Sequence, residues 1–212
     1  MMETISKKSR VTLSGQVRNY ILTKILNGEF EPGERLIEMK IAHQMQTSQA
    51  PVREAIRELE STGLLENLPN RGSRIRQISN QELSDIYDVR AQLEGYAAEL
   101  VCRKKIEIAD ELELAVEQMH SAALQDNLML FSSKNHEFHS IIIKHAGNEI
   151  LLKTWLTLHI QIKTFLIVNR LDKNLTNLAN SHNAIVDAFR LLDDKKARTE
   201  IINHIYKNRP EL

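Results

Sequence analysis

The 212-residue chain has one cysteine, seven glycines, four prolines and no net formal charge. A single thiol, Cys102, excludes an intrachain disulfide framework and fits a reducing cytoplasm. So few glycines and prolines predict few tight turns and a mainly helical protein. No apolar run approaches 18 residues and no apolar signal segment precedes the first helix, so we expect neither a membrane span nor a secretory leader. A net charge of zero by itself argues against non-specific binding to nucleic acid.

Charge is divided unevenly along the chain. Residues 1–78 hold 12 Lys or Arg against 9 Asp or Glu, a net charge of +3, and the remaining residues hold 16 against 19, a net charge of −3. A mildly basic part joined to a mildly acidic part indicates two tasks on one chain. We expect the boundary near residues 78–80. Residues 1–10 are polar and lack periodicity, which predicts a flexible arm.

Three short helices are predicted in the basic part. Apolar residues at helical spacing predict the first two, over Leu13–Leu26 and Leu36–Met45. The third is predicted to follow Ser48 as its N-cap, to carry Pro51 in its first turn, and to end at Gly63.

Two short strand patterns follow these helices. Leu64–Leu68 and Ser73–Ile78 are too short for helices, and the Pro-Asn-Arg-Gly sequence between them is a loop signal. Helix, turn, helix and hairpin is the layout of a winged helix-turn-helix, which presents its second helix to the DNA major groove. We therefore predict this DNA-binding domain over residues 11–78.

A recognition helix needs small polar residues at its N-terminus and guanidinium groups that reach base edges or phosphates. The candidate DNA-binding residues of the third helix and the wing are Ser48, Gln49, Arg53, Arg57, Arg71, Gly72 and Arg74. Gln49 can bind an adenine edge, and Arg53 can bind a guanine or a phosphate. The alternative is that Arg53 and Arg57 pair with glutamates 54, 58 or 60 on a solvated helix face.

From residue 82 onward the periodicity is helical throughout. The predicted helices cover residues 82–104, 107–125, 128–146, 149–169, 176–192 and 195–207. Six helices with short connections predict an antiparallel all-helical bundle over residues 79–212. The fold class is therefore mainly α, with an N-terminal winged helix-turn-helix.

Three of the eight histidines have a spacing that allows metal binding. Asn135 and His139 are one helical turn apart and share a face, His182 opens a later helix, and His204 lies in the last one. In a bundle these helices can converge on one cavity where imidazoles bind a divalent metal, or they can face apart. The other five histidines have no partner at useful spacing.

The basic part resembles the GntR family of bacterial transcriptional regulators. The resemblance rests on Leu26–Glu38, Pro51–Ile56 and Gly63–Leu65, and it covers about residues 12–78. It implies a homodimeric regulator, by default a repressor, that binds pseudo-palindromic double-stranded operator DNA. Gln49 stands where many relatives have an arginine, and this difference bears on the operator sequence that the helix reads.

The helical part resembles the FCD effector-binding domain of FadR-type GntR regulators. The motifs are Asp88–Glu94, Asn135–His139, Gly147-Asn148, His182–Ile185 and His204, and the match covers about residues 80–207. The resemblance implies a small-molecule effector, such as an organic acid, and a metal bound by an aspartate and three histidines. Here Asn135 occupies the aspartate position. The implied metal is zinc, with nickel or manganese as alternatives, and imidazole ligands suit zinc, nickel and several other metals.

Arg90 is the candidate for binding an effector carboxylate, because its guanidinium matches a carboxylate bidentately. The alternative is an ion pair with Glu94 on the same helix. A metal-dependent hydrolase using the three histidines is a further alternative. The sequence has no nucleophile elbow, phosphate loop or metalloprotease helix, so we expect no enzyme activity.

Overall fold

A computed structural model describes residues 12–69, 71–158 and 174–209. The chain divides between Gln77 and Ile78 into two compact units, which are described in turn. None of the helices in the described ranges is long and apolar enough to cross a membrane. The predicted arm over residues 1–10, and Asn70 in the predicted wing, lie outside the described residues.

The N-terminal unit contains three helices and a small sheet. Its elements are α1 (Leu13–Leu26), β1 (Arg35–Leu36), α2 (Glu38–Gln44), α3 (Gln49–Ser61), β2 (Leu65–Leu68) and β3 (Gly72–Ile75). The sheet is antiparallel in the order β1-β3-β2, with Leu36 opposite Ser73 and Leu65 opposite Ile75. The predicted winged helix-turn-helix is thus confirmed.

Local signals in the sequence explain where these helices begin and end. The Thr12 hydroxyl accepts a hydrogen bond from the Gly15 amide at 3.1 Å and caps α1. Gly63 ends α3 with a φ of +73°, which glycine adopts without steric cost. Packing between α1 and α3 buries Val17 and Val52 completely. The apolar stripe of α3 therefore faces the core, and its arginines face outward.

The predicted helix over Leu36–Met45 is wrong at both ends. Leu36 is buried as expected, but it lies in β1 and pairs with β3, and α2 begins two residues later at Glu38. Met45 is a half-buried C-cap residue rather than a buried helical one. Pairing with a strand more than 35 residues away decides the conformation of Leu36, and local periodicity carries no information about it.

The C-terminal unit is helical throughout its described part, which confirms the predicted fold class. Its helices are α4 (Asn80–Arg103), α5 (Ala109–Leu124), α6 (Leu128–His145), α7 (Glu149–Thr157), α8 (Leu175–Asn180), α9 (Asn183–Arg190) and α10 (Asp194–Lys207). The most extensive packing is between α4 and α10 and between α5 and α6. The predicted helix over 149–169 agrees with α7 as far as Thr157, and residues 159–173 lie outside the described part.

Close packing of α4 against α10 depends on Gly95. A Cβ atom at this position would lie 2.9 Å from Cγ1 of Ile202 on α10, which is shorter than van der Waals contact. Gly95 is buried in the middle of a 24-residue helix, where it costs helix propensity. Gly95 therefore allows α4 and α10 to pack closely and does not form a turn.

One helix predicted over residues 176–192 is in fact two. The Ser181 hydroxyl donates to the Leu178 carbonyl at 2.6 Å, and the His182 amide bonds to Ala179, three residues back, instead of continuing the α-helical pattern. A serine that bonds to a nearby carbonyl competes with the backbone and favours a helix end. The break between α8 and α9 places His182 at the start of α9.

Candidate functional site

The outward face of α3 carries the predicted DNA-reading side chains. Ser48, Gln49, Arg53 and Arg57 are all exposed. Ser48 is the N-cap residue by position, but its hydroxyl makes no capping hydrogen bond. Arg53 and Arg57 lie one turn apart, as their spacing requires.

Arg53 is held by a glutamate from the preceding helix. Its Nη2 and Nε donate to Oε2 of Glu38 on α2 at 2.9 and 3.1 Å. The alternative pairing with glutamates of α3 is not found, because Glu58 lies near Arg18 and Glu60 accepts from Ser73. Arg57 makes no ion pair with any residue that the structure describes.

The wing places its cations differently. Arg71 is exposed in the turn, and Gly72 has a φ of +78°, a conformation that favours glycine. Arg74 lies within β3, where its Nε donates to Oε1 of the cross-strand residue Glu66 at 2.6 Å. Arg35, opposite Arg74 on β1, adds an exposed cation outside the predicted DNA-binding residues.

The three predicted histidines converge in the core of the C-terminal unit. His139 comes from α6, His182 from the start of α9, and His204 from α10, with exposed fractions of 1%, 0% and 7%. One ring nitrogen from each lies within 4.8 Å of the other two. The His182 and His204 ring centroids are 4.2 Å apart, and His139 is 5.5 and 5.3 Å from them. The alternative in which these helices face apart is not realised.

Each of these imidazoles presents its Nδ1 to the surrounding protein. Nδ1 of His182 lies 3.0 Å from the Leu178 carbonyl oxygen, and Nδ1 of His139 lies 2.7 Å from Oε2 of Glu94. Nδ1 of His204 lies 3.1 Å from the Ser181 hydroxyl, whose own proton goes to Leu178. Ser181 can therefore only accept from Nδ1 of His204, whereas the Asn208 amide nitrogen, 3.4 Å from the same atom, can only donate to it. For His182, the carbonyl requires a proton on Nδ1.

Burial keeps the rings neutral. It lowers the pKa of His182 to about 3, with His139 as the next cause, and it lowers the pKa of His204 well below the ordinary range. Burial also lowers the pKa of His139, against the opposing effect of Glu94. A neutral imidazole protonated at Nδ1 carries a lone pair at Nε2. Nε2 of His139 and Nε2 of His182 are buried without a hydrogen-bond partner.

These donor atoms fit a divalent metal. Buried nitrogens with unused lone pairs are costly, and a metal ion is a partner that several can share. Neutral imidazoles held through Nδ1 by second partners are the usual ligands of zinc. Asn135 is buried one turn before His139. Its side chain makes no hydrogen bond with the described residues, so its amide is available on the same helix face. The acidic ligand that the resemblance implies is absent at that position.

Arg90 and Glu94 form a buried ion pair beside this cluster. Nε of Arg90 donates to Oε1 of Glu94 at 2.7 Å, and Nε1 of Trp155 donates to the same oxygen at 2.8 Å. Arg90 is 3% exposed and Glu94 is fully buried. Burial raises the pKa of Glu94, but Arg90 and His139 together outweigh burial and leave the pKa below its usual range. The alternative interpretation of Arg90, an ion pair on its own helix, is thus the one that the geometry realises.

His136 has a partner that spacing did not reveal. Its ring stacks on Trp155 with centroids 5.0 Å apart, and burial lowers its pKa to about 4. It is not part of the metal-ligand group found among the described residues. His159 lies outside them.

Comparison with known proteins assigns both units. Residues 13–75 match the family described as bacterial regulatory proteins, gntR family, and residues 85–207 match the FCD domain. A relative from Paenarthrobacter nicotinovorans, named "Probable D-xylose utilization operon transcriptional repressor", is 35% identical over 96% of this chain and 91% of its own. The gluconate operon transcriptional repressor of Bacillus subtilis is 25% identical over 94% of this chain and 83% of its own.

Solved structures support the fold. E. coli McbR/YncC superimposes with a TM-score of 0.71 at 22% identity, covering 94% of this chain and 96% of its own. A GntR regulator from Rhodococcus sp. RHA1 also gives 0.71, at 17% identity and over 92% and 94% of the two chains. The matched families and relatives are transcriptional regulators and not enzymes.

Proposed function

Because the chain belongs to the GntR family of bacterial transcriptional regulators and carries an FCD domain, we propose that it is a metal-containing, ligand-responsive repressor. It would act in the cytoplasm as a homodimer on operator DNA. The two α3 helices would occupy half-sites about one DNA turn apart. Arg53 and Arg57 would contact bases or phosphates, with Ser48 and Gln49 at the N-terminus of α3, and Arg71, Gly72 and Arg74 would contribute from the wing.

One observation carries the sensor part of the proposal. Three neutral imidazoles meet in the core, and two of them have buried Nε2 atoms with no other partner. His139, His182 and His204 would hold a divalent metal, most suitably zinc, and Asn135 would add a neutral oxygen ligand. When bound, the metal supplies a positive centre that attracts an anionic effector.

An organic acid suits this site. A carboxylate would complete the coordination of the metal, and Arg90 would assist with those guanidinium N–H groups that Glu94 does not take. Names of relatives point to operons for sugars and sugar acids, including gluconate, which is itself a carboxylate. Effector binding would favour one arrangement of the DNA-binding units, and by linkage DNA would alter effector affinity equally.

Metal analysis of protein purified without a histidine tag tests the site. We expect about one zinc, nickel or manganese ion per chain in the wild type. His182→Ala should lose it, and His120→Ala, a substitution on α5 outside the cluster, should retain it. The metal site is refuted if wild-type protein holds no metal above background after dialysis against zinc.

A second measurement connects the metal to DNA. Anisotropy of labelled genomic fragments selected by the protein should report operator affinity with metal, with chelator, and with a panel of sugar acids. We expect an effector that changes operator affinity in the wild type and loses its effect in His182→Ala. Equal responses of the two proteins to every acid in the panel would contradict the role of the cluster.

A further inference from the structure

Glu94 is the one acidic side chain that the described residues place against the histidine cluster, and the family resemblance assigns it no role. It lies on α4, is fully buried, and its Oε2 is 2.7 Å from Nδ1 of His139. This distance is that of a charge-assisted hydrogen bond. The orientation of the two groups does not meet hydrogen-bonding geometry, however, and neither atom has another hydrogen-bond partner. A buried carboxylate oxygen therefore faces the ring with capacity to accept a proton donor.

The other carboxylate oxygen is fixed from two directions. Oε1 accepts from Arg90 on the same helix and from Trp155 on α7. Arg90 offsets part of the charge that Glu94 places beside His139. With Oε1 held, the position of Oε2 beside His139 is set by three helices, α4, α6 and α7.

The three imidazoles differ in what faces their Nδ1 atoms. His182 faces backbone carbonyls, and His204 faces a hydroxyl and the Asn208 amide. All of these partners are neutral. Among these rings, only His139 has a carboxylate, that of Glu94, next to its Nδ1. A carboxylate behind a ligating histidine fixes the tautomer, orients the ring and raises the basicity of the opposite nitrogen.

We propose that Glu94 is a positioning residue that holds His139 as the Nδ1–H tautomer, with the lone pair of Nε2 free for the metal. This inference rests on the proposed metal site for its purpose but not for its geometry. Arg90 and Trp155 are part of the same device, because they hold the carboxylate that orients the ring. Arg90 thus acts on the histidine cluster indirectly, through the Glu94 carboxylate.

Glu94→Gln tests the proposal, because the amide can still accept from Arg90 and Trp155 through its oxygen. Its NH2 group then faces Nδ1 of His139 as a donor, which favours the Nε2–H tautomer. We expect zinc affinity, measured by competition with a chromophoric chelator, to fall 10–100-fold. Glu117→Gln, an exposed substitution on α5, should leave the affinity within twofold of wild type.

A readout in metal-free protein separates positioning from general stability. Long-range 1H–15N correlation spectra of the imidazoles should show His139 as the Nδ1–H tautomer in wild type and as the Nε2–H tautomer in Glu94→Gln. An unchanged tautomer, or zinc affinity within twofold of wild type in folded Glu94→Gln, overturns the proposal. If Glu94→Gln does not fold, Glu94→Asp replaces it, and wild-type zinc affinity in that shortened variant also overturns it.

The two proposals fail in different ways. If the wild type binds no metal, the proposed metal site falls, and the tautomer of His139 in the metal-free protein still decides the role of Glu94. If the wild type binds metal and Glu94→Gln binds it equally, the metal site stands and the positioning role is refuted.

Discussion

Acidification should destabilise the C-terminal unit when no metal is bound. Burial lowers the pKa of His182 to about 3 and that of His136 to about 4, and it lowers the pKa of His204 well below its usual range. In the unfolded chain an imidazole has a pKa of about 6.5. Below that pH the unfolded state binds protons that the folded state does not, so stability falls as pH falls through about 6.5.

The size of the effect follows from these pKa differences. At pH 5.5, about one unit below the unfolded pKa, His182 and His136 each cost about 1.4 kcal/mol of unfolding free energy. Together they cost about 3 kcal/mol, a large part of the roughly 5–15 kcal/mol typical of a domain. The lowered pKa values of His204 and His139 act in the same direction. Above pH 7.5 both states are neutral at these positions, so the contribution disappears.

Urea denaturation in the presence of a chelator at pH 7.5, 6.5 and 5.5 measures the effect. The chain has one tryptophan, Trp155, and it lies in the C-terminal unit, so its fluorescence reports unfolding of that unit. His182→Asn should remove about 1.4 kcal/mol of the loss at pH 5.5. His43→Ala, an exposed substitution in the other unit, is the control. A wild-type stability that is constant or rises between pH 7.5 and 5.5 would refute the reasoning.

Two further predictions concern DNA binding and packing. Arg53→Ala should weaken operator binding about 5–150-fold, the equivalent of roughly 1–3 kcal/mol for a lost base or phosphate contact. Arg190→Ala, which removes an exposed arginine of α9, should leave operator binding unchanged. A mobility-shift assay that shows wild-type affinity for Arg53→Ala would contradict the assignment. Gly95→Leu should lower stability by about 1–3 kcal/mol or more, because the side chain would overlap Ile202. Denaturation followed by Trp155 fluorescence measures that loss, and unchanged stability would show that α4 and α10 can separate freely.

Local sequence patterns were sufficient to predict most of the helices. The apolar periodicity of Leu13–Leu26 matches α1 at both ends, and the caps at Thr12 and Ser79 are polar side chains that bond to the helix they precede. These signals lie within a few residues of the structure they specify. Strand β1 was not predicted, because two residues are too few to show the alternating pattern of a strand. Their conformation is set by pairing with β3.

The three histidines of the cluster could be predicted from the sequence, but the contacts that position them could not. His139, His182 and His204 stood out by residue type and by their place on helices that a bundle brings together. The break at Ser181 and the carboxylate of Glu94 did not, since both depend on contacts across the fold. Glu94 did follow Arg90 by four residues, and that spacing predicted their ion pair. Nothing in the spacing related this pair to a histidine 45 residues later.

The order of the two units along the chain has a consequence during synthesis. Gln77 closes the DNA-binding unit, whereas His204, which completes the histidine cluster, follows 127 residues later. At about 5–20 residues per second, a ribosome needs roughly 6–25 s to add that stretch. Each new copy therefore passes through a period in which all residues of its DNA-binding unit have been added and the histidine cluster is not yet complete.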